Sequence, residues 1–137
     1  MRQRSFWTVA FAVISFSFLS HAQTQFEANE TAQHAYQKAD GELNAVYQKI
    51  LVEYKSDTSF VKACRAAQRA WIKFRDAQLA MKFPDEGSNY YGSMLPMCES
   101  LYLEELTRER IETLKEWLVG VLEGSCTGSI KVRSEIK

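Results

Sequence analysis

The chain has 137 residues, 46% hydrophobic and 25% charged, with 17 basic and 17 acidic side chains. That length allows one domain with one modest core, and the even charge balance excludes the strongly basic face that a nucleic-acid partner selects. Three cysteines leave one thiol over after any internal bridge.

Arg2 and Arg4 precede an uncharged, mostly apolar run from Phe6 to Leu19, and Ser20-His21-Ala22 puts small residues where signal peptidase reads. The run falls short of the ~20 residues a membrane span needs. Residues 1–22 are therefore read as a cleaved signal peptide, and the chain from Gln23 as a periplasmic or secreted protein with no membrane span. Without Arg2 and Arg4 the balance is 15 basic against 17 acidic, too even for long-range steering toward a charged partner. Export permits disulfides among Cys64, Cys98 and Cys126.

Apolar residues then recur with helical period over residues ~28–54, at Ala32, Tyr36, Ala39, Leu43, Val46, Tyr47, Ile50 and Tyr54. "KSDTS" breaks the pattern and offers Asp57 or Thr58 as an N-cap. A second helix over ~58–82 carries Phe60, Cys64, Ala67, Trp71 and Phe74 on one side and the basic stripe Lys62, Arg65, Arg69 and Lys73 on the other. "FPDEGSNYYGSMLP" holds both prolines and no helical period, so residues 84–97 read as a loop. A third helix over ~97–121 stacks Leu103, Leu106, Leu114, Trp117 and Val121, followed by a loose tail with a short strand-like piece. The expected fold is all-α: a small antiparallel three-helix bundle spanning 23–121, with a long loop between its second and third helices and a tail over 122–137.

Polar side chains interrupt the apolar arcs. At ~100° per residue, Arg75 falls between Trp71 and Leu79, Gln68 between Cys64 and Ile72, and Arg110 within the arc of Leu103, Leu106, Leu114 and Trp117. Thr107 lies at that arc's edge, and Asp40 and Asn44 flank Leu43 and Tyr47. Folding the hairpins brings Asp40 toward Arg75, and Arg110 level with Gln68 and near Asn44. A buried guanidinium needs acceptors: Asp40 or Glu104 suits Arg75, while Asn44, Gln68 or main-chain carbonyls suit Arg110. Asp40, Asn44, Gln68, Trp71, Arg75, Thr107 and Arg110 are read as a structural network fixing helix register; the competing reading is a ligand pocket.

Cys98 and Cys126 flank the third helix, separated by ~30 Å along it, whereas Cys64 starts the second helix at the end where the third one finishes. A Cys64–Cys126 disulfide is therefore expected, with Cys98 free. One histidine, His34, follows Ala22, so a histidine metal cage is excluded and no metal or cofactor is expected. A Cys98–His34 nucleophile is the remaining catalytic arrangement; no nucleophile elbow or phosphate-binding glycine loop occurs, and the chain is read as a non-enzyme. The loop residues Asp85, Glu86, Ser88, Asn89, Tyr90, Tyr91 and Ser93 form the polar–aromatic mixture that binding surfaces favour.

"YQKADGELNAVYQKIL" (36–51), "AQRAWIKFRDAQ" (66–77), "GSMLPMC" (92–98) and "LTRERIETL" (106–114) together resemble the N-terminal-domain family of the lysozyme inhibitor LprI, over about residues 30–118. The resemblance implies a small exported helical protein from a bacterium. Its characteristic positions fall on Leu43, Asn44, Gln68, Trp71, Arg75, Asp76, Gly92, Ser93, Cys98, Thr107 and Arg110. Where many members carry cysteine this chain has Thr31 and Leu79, and no lipid-attachment cysteine follows Ala22. The family name implies a protein partner, c-type lysozyme, whose cleft the 84–97 loop would enter. Ser88, Asn89 or Ser93 would then meet the catalytic carboxylates, and Tyr90 or Tyr91 a sugar subsite. The alternative is an envelope-stress or structural helper that binds another exported protein through the basic stripe.

Overall fold

The computed structural model describes the backbone of residues 7–87, 89–122, 124 and 126–132, with side chains from Thr24 onward. Three helices make up the fold: α1 (Trp7–Glu53), α2 (Thr58–Lys82) and α3 (Leu95–Val119), with a single 3₁₀ turn at Gly92–Met94 before α3. This is the all-α three-helix bundle expected. The first helix is longer than the ~28–54 read from periodicity, because α1 runs back without a break through the stretch assigned to the leader. The leader's own side chains lie outside the described residues.

Contacts between α1 and α3 advance in the same direction along both. Asn29 Nδ2 donates to the Ser93 carbonyl at 3.2 Å, Glu42 meets Lys115 at 3.4 Å, and the Tyr54 hydroxyl donates to the Trp117 carbonyl at 3.1 Å. The two helices are therefore parallel, and α2 runs antiparallel to both. The α1–α3 contact is much the closer one. Ala32, Ala39 and Thr107 are small and buried there, so the two backbones can approach. Leu43, Val46, Ile50, Tyr54, Ile111 and Leu114 form the buried cluster. Each such side chain contributes about 1.5–3 kcal/mol by leaving water, and truncating Leu43 to Ala would cost about 2–5 kcal/mol.

Helix α2 starts where the sequence places it. Asp57 caps it by accepting from the Phe60 amide at 2.9 Å, and the Phe83 amide closes it onto the Leu79 carbonyl at 2.9 Å. Its inner stripe steps through Phe60, Cys64, Gln68, Trp71 and Arg75, and Gln68 is the buried residue at its centre. Phe74, expected inside, is 53% exposed. Adjacent residues point ~100° apart, so burying Arg75 beside Trp71 turns Phe74 outward. Ala67, also assigned to the inner side, is exposed as well. With long polar and aromatic side chains on this stripe, α2 stands further from its neighbours than α1 does from α3.

The expected Cys64–Cys126 disulfide is not formed, and Cys64, Cys98 and Cys126 are all free thiols. Gly120, with φ +73°, turns the chain out of α3, and the tail then doubles back to bridge Val121 with Val132. On this return Ser129 meets Trp117, its hydroxyl accepting from the indole N–H at 3.0 Å, and Lys131 reaches Glu53 at 3.1 Å. Ser129, not Cys126, thereby takes the place opposite Cys64, while Cys126 stays exposed on the outgoing limb.

Candidate functional site

The internal polar layer divides into two halves. In the first, Arg75 of α2 is 14% exposed and meets Asp40 of α1 at 3.5 Å and its neighbour Asp76 at 2.9 Å. Its guanidinium also lies 6.0 Å from the Tyr36 ring centroid and 5.5 Å from that of Trp71. Asn44 completes this group by donating to Asp40 at 3.3 Å. Burial raises the Tyr36 hydroxyl above its ordinary pKa, against the opposing pull of Arg75. Glu104, the other acceptor considered for Arg75, is taken by Arg108 at 2.8 Å.

In the second half, Arg110 of α3 donates through Nε to Gln68 Oε1 at 3.2 Å and lies 5.9 Å from the Trp71 ring centroid. Gln68 is one of the acceptors considered for Arg110; Asn44, another of them, bonds Asp40 instead. Among the described residues no carboxylate comes within ion-pair distance of Arg110. Burial lowers its pKa, opposed by the nearby Cys64 sulfur. The Cys64 thiol is itself raised by burial, which Arg110 and Arg65 counter only in part, so it favours the neutral form. Thr107, expected at the arc's edge, is completely buried, and its hydroxyl has no hydrogen-bond partner among the described residues. Periodicity also missed Ile111, which is buried one turn further on.

The 84–97 loop is shorter than expected, because residues 92–94 form the 3₁₀ turn and α3 already begins at Leu95, with Pro96 in its first turn. The irregular segment reverses through three left-handed residues, Gly87, Asn89 and Gly92, with φ of 91°, 71° and 67°. Asn tolerates that region better than most side chains, which suits it to the tip. Asp85 accepts from the Gly87 amide at 3.1 Å. Tyr91 is half-buried and packs edge-on against Phe83 and Tyr90, at 5.7 and 4.9 Å between centroids. Tyr90 is 70% exposed. Asp85, Glu86, Asn89 and Ser93 are exposed with it, and Ser88 lies outside the described residues. The structure thus places Tyr90 on the surface, with Tyr91 as its support.

Lys62, Arg65, Arg69 and Lys73 are all exposed along α2 and form no ion pair among the described residues. His34 is exposed, and no hydrogen bond joins it to the half-buried Cys98. No group of three or more metal-ligating side chains occurs among the described residues, and no helix there is long and apolar enough to cross a membrane.

These features define a small all-α bundle with a braced polar layer at its centre and an aromatic loop at one end. The chain belongs to the lysozyme inhibitor LprI family, whose model matches residues 19–114. It is also 36% identical over 107 residues to uncharacterized protein R02472 of Rhizobium meliloti (strain 1021), covering 69% of this chain and 74% of that relative. No solved structure matches the chain.

Proposed function

We propose that this chain is an exported protein inhibitor of c-type lysozyme that presents the loop between α2 and α3 to the enzyme's cleft. Family membership supports the choice of partner, and the leader-like residues 1–22 support export to the periplasm or beyond. The observation that carries the loop assignment is Tyr90, a large aromatic side chain left 70% exposed and packed edge-on against Tyr91, which in turn rests on Phe83. A ring fixed in this way loses little conformational freedom on binding, which is what an interface anchor requires. Asn89 and Ser93 flank it with hydrogen-bonding groups, and Asp85 and Glu86 add local attraction for a cationic enzyme.

The test is lysis of bacterial cell walls by c-type lysozyme in the presence of the purified chain. Inhibition near equimolar protein is expected, weakened about tenfold or more by Tyr90→Ala. The combined Tyr90, Tyr91 and Ser93 alanine variant should be weaker still. Full inhibition by that variant would remove the loop from the contact, and no inhibition at large excess would remove lysozyme as the partner.

A second reading rests on the unpaired cations Lys62, Arg65, Arg69 and Lys73, which make one stripe over three turns of α2. They suit an acidic patch on another exported protein, in the manner of an envelope helper. Binding of that kind weakens steeply as ionic strength rises, whereas a contact built on Tyr90 does not.

A further inference from the structure

At the end of the bundle remote from the loop, α2, α3, Ile50 of α1 and the returning tail line a half-open cavity of about 210 Å³. Ile50, Phe60, Leu114 and Trp117 form its apolar walls, and Ala63 and Ala67 lie on its α2 rim. A cavity of about 150 Å³ with such walls accepts benzene, so this one accommodates a ring bearing a short substituent. Two polar groups face this apolar space. One is Arg110, whose hydrogen-bond partner among the described residues is the neutral Gln68. The other is Ser129, whose oxygen accepts from the Trp117 indole and whose own O–H remains free to donate.

A guanidinium has five N–H donors, and Gln68 occupies one of them. Partial burial of a guanidinium without an anion carries a cost, and Arg75, in the same polar layer, is paired with two carboxylates. Cys64, also on the cavity wall, does not serve as the anion while its thiol stays protonated. The site thus suits one negative charge on a planar head that the guanidinium fork can grip, carried by an apolar body. A dianion such as a phosphate monoester would leave a charge unmatched.

We infer that the cavity between α2 and α3 is a binding site for a small apolar monocarboxylate, an aryl or medium-chain acid whose carboxylate pairs with Arg110. The body of the ligand lies between Phe60, Leu114 and Trp117, with the Ser129 hydroxyl on the wall beside Trp117. Because the site is separate from the loop, it stands whether or not lysozyme is the protein partner.

The probe is phenylacetate, with phenylacetamide as its uncharged counterpart, titrated into the full chain. Binding is followed by equilibrium dialysis and by the fluorescence of the tryptophans, of which Trp117 lines the cavity. Saturable binding of phenylacetate is expected with a Kd on the order of 0.1–1 mM, the range for about ten well-buried heavy atoms. The amide should bind about tenfold more weakly or not at all, and Arg110→Met should reduce the acid to the level of the amide. Ala67→Phe, made on an exposed helix position, fills the rim while leaving the Arg110 and Gln68 side chains in place and should lower affinity for both probes. No saturable response up to about 10 mM, equal binding of acid and amide, or unchanged binding in both variants would each overturn the assignment.

Discussion

Arg75 and Arg110 approach the ring of Trp71 at similar distances, 5.5 and 5.9 Å from its centroid, and both come from the inner faces of their helices. Their surroundings differ in one respect. Arg75 has two carboxylates, one on its own helix and one on α1, so its charge is matched and it ties α2 to α1. Arg110 has a neutral amide and an apolar cavity. A matched guanidinium favours one register, because moving either helix leaves the largely buried Arg75 without its acceptors. An unmatched one adds little to stability, and the inferred carboxylate site gives Arg110 a different role at the cavity wall.

The comparison is broken or sharpened first at Arg75. Replacing it with alanine should destabilise the bundle by about 2–3 kcal/mol, through lost packing on Trp71 and Tyr36 and through Asp40 losing its partner. The value is set at the low end for a buried pair because Asp40 and Asp76 are 42% and 60% exposed and water screens them. Urea unfolding measures it. A loss below about 0.5 kcal/mol would mean that Arg75 is a surface contact and braces nothing.

Arg110 should respond with the opposite sign. The double replacement Gln68→Met and Arg110→Met removes a charge and an amide together and leaves apolar bodies of similar length against Trp71. Unfolding free energy should stay level or rise by about 1–2 kcal/mol. Arg110→Met alone should fall below the double variant by about 1 kcal/mol, because Gln68 Oε1 then stays buried without a donor. If the double variant lost as much as Arg75→Ala, the two arginines would be equivalent braces.

Much of this layer was legible in the sequence. Helical phase alone put Arg75 opposite Asp40 and Arg110 level with Gln68, because 3.6-residue periodicity and antiparallel hairpins fix which turns meet. The limits of α2 were equally readable from Asp57 and from the end of its apolar period. What phase could not decide was the choice between neighbours: burying Phe74 or Arg75 differs by one ~100° step, and packing on α1 decides it. Nor could it follow the tail, whose turn at Gly120 depends on backbone conformation, so Ser129 was missed and Cys126 misplaced. The cavity was invisible too, since it exists because long side chains hold α2 away from α3.

Thr107 carries the same contrast into the closest packed contact of the molecule. It shares the "LTRER" stretch with Arg110, and each is a buried or half-buried polar group that the described structure leaves short of partners. Thr107 does not line the cavity, so no ligand there would satisfy its hydroxyl. Thr107→Val exchanges that hydroxyl for a methyl of similar size and should raise stability by about 1 kcal/mol, read as a rise in melting temperature of about 4–8 °C. Unchanged affinity for phenylacetate in that variant would separate the hydroxyl from the site of Arg110; a fall in both would join them.

The smallest effect expected is at the start of α2, where Asp57 accepts from the Phe60 amide and from the Ser59 hydroxyl. These hydrogen bonds, the Phe60 amide first, hold its pKa below the ordinary carboxylate value. The folded state therefore prefers the ionised form more than the unfolded chain does. The stabilisation is fully present above the unfolded pKa of about 3.9 and is lost as pH falls through the lower folded value. Asp57→Asn keeps an acceptor at the cap but does not titrate, so its stability should fall less steeply than the parent's below about pH 4. Guanidinium unfolding at a series of pH values would compare the slopes. Identical slopes would place the acid sensitivity elsewhere in the bundle and leave Asp57 as a cap whose charge is immaterial, in the way that Gln68 is a partner to Arg110 without neutralising it.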